Sequence, residues 1–367
     1  MLPAVSYGGP PTLGKPIFAD FRRANETVLA YCAAMKIRFT LCAAMLLLAP
    51  RAGAEPGATR VARWAGDAQG AFVLMFDDSW PSHFQVAAPE LAKRGLTATF
   101  YINPGKGEYL KFRGEWESNV WKQGQAYGVH TLTHKGVKDA ADAAREIGEC
   151  ARIIRGIVPG TQNKLVSYAR PGVGKGAWNI TDAEESAVLA KCQLINRPPF
   201  TGHGAVYHLK TAAEMLALAD QASANSGMEY LVIHGVERLK PHWSYQDFWA
   251  LKQTIFLPLL DGLKERRDRG ALWIADHIAV HQYERERDTA TVQVRAATAQ
   301  QIAVTLHSKT APQLYDQPLT LITTVPAAWP KCRVTQGTNQ LPCAVAGGVV
   351  KYPALPNGPP VTLVPEN

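Results

Sequence analysis

From about residue 60 the sequence alternates short apolar runs with longer stretches of helical spacing, and few folds accept that rhythm. The runs Ala71–Phe76, Thr97–Ile102, Ala126–Val129, Leu165–Tyr168, Cys192–Ile195, Tyr230–Ile233 and Leu272–Ile274 read as buried strands. Between them, "DAADAAREIGECARIIRGIV", "TAAEMLALADQASAN" and "YQDFWALKQTIFLPLLDGLKERRDRG" place apolar residues three and four apart, which is one face of a helix. Strands that alternate with helices pair in parallel, because each helix carries the chain back to the same end of the sheet. The repeat therefore predicts an α/β fold, a distorted parallel (β/α) barrel over residues 60–287. At about Asp288 the text changes to alternating runs such as "TATVQVRAA", "PLTLITTV" and "PVTLVP", separated by Gly, Pro and Asn turns. That pattern predicts a small antiparallel β-sandwich over residues 288–367.

The N-terminus belongs to neither. "MKIRFTLCAAMLLLAPRAGA", opening at Met35, sets Lys36 and Arg38 before an apolar stretch and a small-residue site, the layout of a secretory leader. Its apolar run falls short of the roughly 20 residues that a membrane span needs. Residues 35–54 are expected to be a signal peptide and residues 1–34 an upstream artefact, with a periplasmic or secreted mature chain and no stable span.

The formal net charge is +8, and losing residues 1–54 removes six basic and two acidic side chains, leaving about +4. Segments such as "KERRDRG" and "YERERD" mix the signs, as a solvated helix face does, so no nucleic-acid partner is expected. Cys150, Cys192, Cys332 and Cys343 remain beyond the leader. In an oxidising compartment Cys332 and Cys343, which flank a hairpin-like turn, are expected to form a disulfide. For Cys150 and Cys192 a bridge and two small buried hydrophobes are equally consistent.

Polar residues fall where the predicted strands end. Asp77 and Asp78 follow the first, His130 the third with His134 four residues on, Arg170 the fourth, and His234 the strand ending in "LVIHG". In a parallel barrel these ends open onto one face, where substrates bind. Two His and one Asp with open positions suit a catalytic divalent ion, and the second Asp is free to act as a base toward water. Taken singly, each motif has a duller reading: a DD pair is commonly a turn, and "DHIAVHQ" repeats the His spacing at His277 and His281 on what reads as a final helix. Their joint order along the strands is what favours a site.

That ordered set resembles the polysaccharide deacetylase family, the NodB homology domain of carbohydrate esterases. "MFDDS" resembles its first motif, "GQAYGVHTLTH" its second, "ARPGVG" its third and "LVIHG" its last. The resemblance implies a barrel of the NodB type and hydrolysis of N-acetyl or O-acetyl groups on a sugar polymer or oligosaccharide. It implies Asp77 as catalytic base, Asp78, His130 and His134 as metal ligands, Arg170 as the residue that orients and charges the base, and His234 as general acid. One divalent ion is expected, zinc first by ligand type, with Co, Ni or Mn suited to similar ligands. Ser79 stands where the family usually has Gly, Ala126 replaces a common Glu, and "INRPPFTGHG" occupies the interval of the Asp-Trp element without matching it. The alternatives are a catalytically inactive carbohydrate-binding protein of the same fold, or an amidase acting on a small cyclic amide.

Overall fold

The computed structural model describes residues 55–199, 208–239 and 245–366. The expected upstream segment and leader lie outside the described residues, as do His203 and His242. A short strand, β1 (Thr59–Val61), precedes the seven expected ones, which form as β2 (Gly70–Asp77), β3 (Thr99–Ile102), β4 (Ala126–Val129), β5 (Val166–Tyr168), β6 (Leu194–Asn196), β7 (Met228–Ile233) and β8 (Leu272–Ile274). The seven are parallel, in the order β6-β5-β4-β3-β2-β7, with β8 also paired to β2. Among the described residues no ladder joins β6 to β7, so the barrel is a curled, open sheet.

Strand β2 shows why a continuous apolar run is needed here. Phe72, Leu74 and Phe76 enter a core shared with the surrounding helices, and Ala71, Val73 and Met75 enter a second core on the opposite face. Alternate side chains of a strand point to opposite faces, so both sets must be apolar. Each large side chain buried this way contributes about 1.5–3 kcal/mol.

The C-terminal strands are β9 (Thr291–Ala297), β10 (Ile302–His307), β11 (Leu319–Thr324), β12 (Lys331–Gln336), β13 (Asn339–Leu341), β14 (Ala344–Ala346), β15 (Val349–Ala354) and β16 (Val361–Glu366). They make two antiparallel sheets, β1-β11-β15-β14 and β13-β12-β16-β10-β9. The sandwich thus borrows β1 from before the barrel, with Thr59 opposite Thr323. Its core residues Ile302, Leu321 and Tyr352 belong to the same cluster as Val73 and Met75 of the barrel. The helix His277–Asp288 packs into this shared core through Val280 and Tyr283, and the Tyr283 hydroxyl donates to Ala62 O at 3.0 Å.

The expected Cys332–Cys343 disulfide does not form, and of the two readings of Cys150 and Cys192 the structure takes the unbridged one. All four in the described residues are free thiols. Extending the β12–β13 register beyond the Val334–Leu341 pair would put Cys332 opposite Cys343, yet Cys343 Sγ turns to the Cys332 carbonyl at 3.1 Å. Cys150, buried in the helix Ala140–Ile157, points its thiol at Ile102 O instead of at Cys192. No helix among the described residues is long and apolar enough to cross a membrane.

Candidate active site

Strand parity decides which side chains meet. The face of β2 that carries Ala71, Val73 and Met75 places Asp77 on the inner side of the sheet. Applied to the other strands, the same alternation selects Asn103 after β3, His130 after β4, Ala169 after β5, Arg197 after β6 and His234 after β7. Tyr101, Ala169, Tyr230 and Val232 all lie in that inner core, which fixes the parity of β3, β5 and β7.

Asp77 is buried and held by Arg197, whose Nη1 and Nη2 donate to its two carboxylate oxygens at 2.6 and 2.8 Å. Burial alone would raise the Asp77 carboxyl, but the charge and hydrogen bonds of Arg197, together with His130 and His234, outweigh it and keep the group below the usual carboxylate range. The Arg197 guanidinium lies 4.7 Å over the Tyr101 ring. The Tyr101 hydroxyl is fixed in turn by Ser167 Oγ at 2.7 Å, which meets His277 Nδ1 at 2.7 Å. Gly128 makes room for this ring: a Cβ there would sit 2.5 Å from Tyr101 Cδ1.

Arg170 does not charge the base. It follows Tyr168 by two residues and shares its outward parity, so both side chains turn to the helix Asp182–Lys191. There Tyr168 donates to Glu185 at 2.7 Å, and Arg170 pairs with Asp182 and Glu185, each at 3.4 Å. The Arg170 side chain is 42% exposed and that of Arg197 4%. Arg197 was invisible as a motif because "INRPP" matches none, but the parity of β6 marks it: Leu194 faces the helical core, so Arg197 faces Asp77.

Asp78, His130 and His134 converge beside this pair. Asp78 Oδ1 lies 3.3 Å from His130 Nε2 and 3.0 Å from His134 Nε2, and one donor atom from each of the three residues falls within 4.8 Å of the others. His130 Nδ1 meets Ala169 O at 2.8 Å, so that nitrogen is a donor and Nε2 is the ring atom turned to Asp78. Asp78 Oδ1 is buried and without an assigned hydrogen bond. Three acceptors this close repel unless a positive charge sits among them, and a divalent ion fits that donor set. Burial would raise the Asp78 carboxyl, whereas the close approach of His130 and His134 and the charge of Lys106 together outweigh it and hold the group well below the usual range.

The loops are built to hold this geometry. Asp78, Ser79, Thr131 and His134 adopt left-handed backbone angles, with φ of 83°, 55°, 63° and 61°. Such conformations in residues other than glycine cost free energy and persist where the surroundings enforce them. Ser79 holds a backbone region that favours glycine and adds a side-chain contact, accepting from Asn103 N at 2.8 Å. The Asn103 amide donates to both His130 O and Thr131 O, which ties the Asp loop to the His loop. From the helix Ala140–Ile157, Glu146 accepts from Thr133 N at 2.8 Å and secures the His loop from below.

His234 Nε2 stands 3.8 Å from Asp78 Oδ2, and burial shifts its pKa downward. Beside it lies a feature that sequence periodicity misassigned. Residues 245–252 are loop, and the expected helix begins only at Gln253. Gly235 N donates to Phe248 O and Leu251 N to Gly235 O, both at 2.9 Å. A Cβ on Gly235 would meet Asp247 Cβ at 2.7 Å, so glycine permits this close docking. Buried Asp247 accepts from Ser82 N at 2.8 Å and pairs with Arg238 at 2.9 Å. The loop is thereby pinned to the segments following both β2 and β7. It presents Phe248 and Trp249, each 47% exposed, with the Trp249 ring 5.1 Å from His234. Trp80 continues this wall, and Lys106 lies 4.2 Å above its ring while donating to Asp78 O at 3.2 Å.

A curled parallel sheet with a buried, charge-paired aspartate beside an Asp-His-His cluster at its carboxyl end defines an α/β site suited to metal-assisted hydrolysis. Residues 66–188, which carry Asp77, Asp78, His130 and His134, match the family model described as polysaccharide deacetylase, in agreement with the resemblance read from the motifs. A curated relative, a gellan lyase from a Bacillus species, is 23% identical over 338 residues, covering 85% of this chain and 13% of its own length. This chain thus spans about an eighth of that relative. Similar solved structures include a peptidoglycan deacetylase from Bacillus subtilis, at 16% identity, 60% of this chain, 94% of that one and a TM-score of 0.40. A family 4 carbohydrate esterase from Streptomyces lividans in complex with acetate shows 18% identity, 56% and 91% coverage and a TM-score of 0.38. A family 4 pseudoenzyme from Bacillus anthracis shows 14% identity, 57% and 64% coverage and a TM-score of 0.37.

Proposed function

We propose that this protein is an exported, metal-dependent deacetylase that removes N-acetyl or O-acetyl groups from a sugar polymer or oligosaccharide. The observation that carries the reading is the buried Arg197–Asp77 pair set against the Asp78–His130–His134 cluster. Asp78, His130 and His134 would hold one divalent ion, zinc by ligand type, with Co, Ni or Mn suited to the same donors. When bound, that ion supplies Lewis acidity toward a carbonyl and a lowered pKa for water.

The protein's own groups account for the proton traffic. Asp77, kept ionised by Arg197, accepts the proton of the attacking water. His234, on the same inner face, donates a proton to the departing amine or alkoxide. Trp80, Phe248 and Trp249 form an apolar wall against which a sugar ring can lie. Loss of catalysis, as a purely carbohydrate-binding protein would require, is expected to delete the base or a ligand, and all four residues are present.

The test is acetate release by purified protein from N-acetylglucosamine oligomers, peptidoglycan fragments and O-acetylated plant polymers. Activity that vanishes on chelation and returns with added zinc supports the reading. A zinc-loaded protein that releases acetate from none of them overturns it.

A further inference from the structure

The inner face of the sheet is lined by Ala71, Val73, Met75, Tyr230 and Val232, but β5 places a serine there. Val166 and Tyr168 on either side face the helical core, so Ser167 faces inward and is fully buried. A hydroxyl in such a layer costs free energy unless it is bonded. Ser167 Oγ is bonded twice, to the Tyr101 hydroxyl and to His277 Nδ1, each at 2.7 Å. His277 is buried as well, and burial, followed by the proximity of His281 and Arg197, pushes its pKa down to about 3. The imidazole is therefore neutral at ordinary pH and contributes hydrogen-bonding direction instead of charge.

Its backbone is fixed from several sides. His277 N donates to Thr99 Oγ1 at 3.0 Å, and Asp276 caps the helix that His277 opens, accepting from Ala279 N at 3.0 Å. Further along this helix Gln282 Nε2 donates to Leu314 O at 2.6 Å and Glu286 accepts from Gln317 N at 3.1 Å, which ties it to the segment before β11. A fixed imidazole thus holds Ser167, and Ser167 holds the Tyr101 hydroxyl. The Tyr101 ring in turn lies 4.7 Å from the guanidinium of Arg197, which grips Asp77. Phenylalanine would fill the space of Tyr101 with no buried partner to supply, so the hydroxyl and the two groups behind it are not required by packing.

We propose that His277 and Ser167 are positioning residues of the hydrolytic reaction, fixing through the Tyr101 hydroxyl the ring that holds Arg197 against Asp77. Second-shell hydrogen bonds of this kind keep a reacting group within the narrow range of productive geometry. The effect on rate rests on the deacetylase reading, but the effect on Arg197 is measurable without catalysis.

The experiment compares Ser167→Ala, His277→Leu and His277→Asn in the zinc-loaded full chain. Leucine keeps the bulk of the ring and removes its polar atom, whereas asparagine sets an amide oxygen near the place of Nδ1 and gives up bulk. Ser167→Ala and His277→Leu are each expected to lower kcat for acetate release about tenfold, the scale of one lost hydrogen bond, with KM and zinc content unchanged. Their combination should be no slower than either alone. His277→Asn should keep most of the activity while unfolding at a lower urea concentration than His277→Leu. A histidine that only fills space predicts the opposite, the leucine variant being the more active, and that result overturns the proposal, as do losses that multiply in the combination. Arg197 supplies a readout without catalysis: a guanidinium gripped at both ends rotates slowly, so its Nη–H groups are expected as separate NMR signals in the wild type and as merged ones in Ser167→Ala. Signals that stay separate overturn the positioning role. A wild type that releases no acetate overturns the deacetylase reading, and the Arg197 signals then decide the positioning role by themselves.

Discussion

Arg197 grips both carboxylate oxygens of Asp77 from 120 residues away in the sequence, inside a site that excludes solvent from both partners. Removing one member of a buried ion pair leaves an uncompensated charge and costs about 3–5 kcal/mol. Arg197→Met is therefore expected to destabilise the fold by that order and to lower acetate release by at least about 10²-fold, the scale of a lost general base. Arg170→Met removes a half-exposed guanidinium from exposed Asp182 and from Glu185, which keeps its hydrogen bond from the Tyr168 hydroxyl, and should cost only about 1 kcal/mol. Urea unfolding of the two variants, paired with the acetate assay, separates the roles. Equal losses would contradict the assignment.

The adjacent aspartates should differ in what they release. Asp78→Ala removes one of the three proposed ligands, so zinc content after dialysis should collapse and activity with it. Asp77→Asn should retain the ion and lower kcat by about 10² to 10⁴. Metal analysis by mass spectrometry decides, and retention of zinc by Asp78→Ala together with its loss from Asp77→Asn would reverse the two roles.

Gly128→Ala probes the support beneath the base. The new methyl group would overlap the Tyr101 ring, which carries Arg197. Overpacking of this kind costs about 1–3 kcal/mol. Activity should fall with zinc retained, since neither His130 Nε2 nor Asp78 is displaced directly. A fully active variant would show that Tyr101 does not position Arg197.

Glu286, on the helix between barrel and sandwich, sets a pH dependence of stability. Burial pushes its carboxyl up to about 7, against an ordinary 4.5, despite the hydrogen bond from Gln317 N. A carboxyl whose folded pKa is raised contributes stability that is complete below the unfolded value and is lost as pH rises through the folded one. The window is thus pH 4.5 to about 7. Across that window the wild-type Tm should fall more steeply with rising pH than that of Glu286→Gln. Parallel slopes would exclude Glu286 as the source.

Much of this was legible because parallel strands buried on both faces leave continuous apolar runs, and because Asp77, Asp78, His130 and His234 stand at the ends of such runs, with His134 four residues beyond His130. Arg170 misled for a physical reason: proximity to a strand end does not fix direction, and one residue of parity separates the inner face from the outer. Tyr245–Lys252 misled differently, because apolar spacing that suits a helix also suits a loop pinned by Gly235 and Asp247. Those anchors lie outside the segment itself and leave no periodic trace. Strand β1 escaped notice because three residues carry too little pattern to distinguish a strand from a linker.

The pairing of Thr59 with Thr323 has a consequence for how the chain matures. Strand β1, the first among the described residues, waits for a partner made near the end, and the ring of contacts that includes the shared core cannot close until β11 exists. Loop closure over such a span slows folding, so the sandwich should be the last element to acquire protection against hydrogen exchange. A nascent chain held unfolded for passage across a membrane would lose little by this delay.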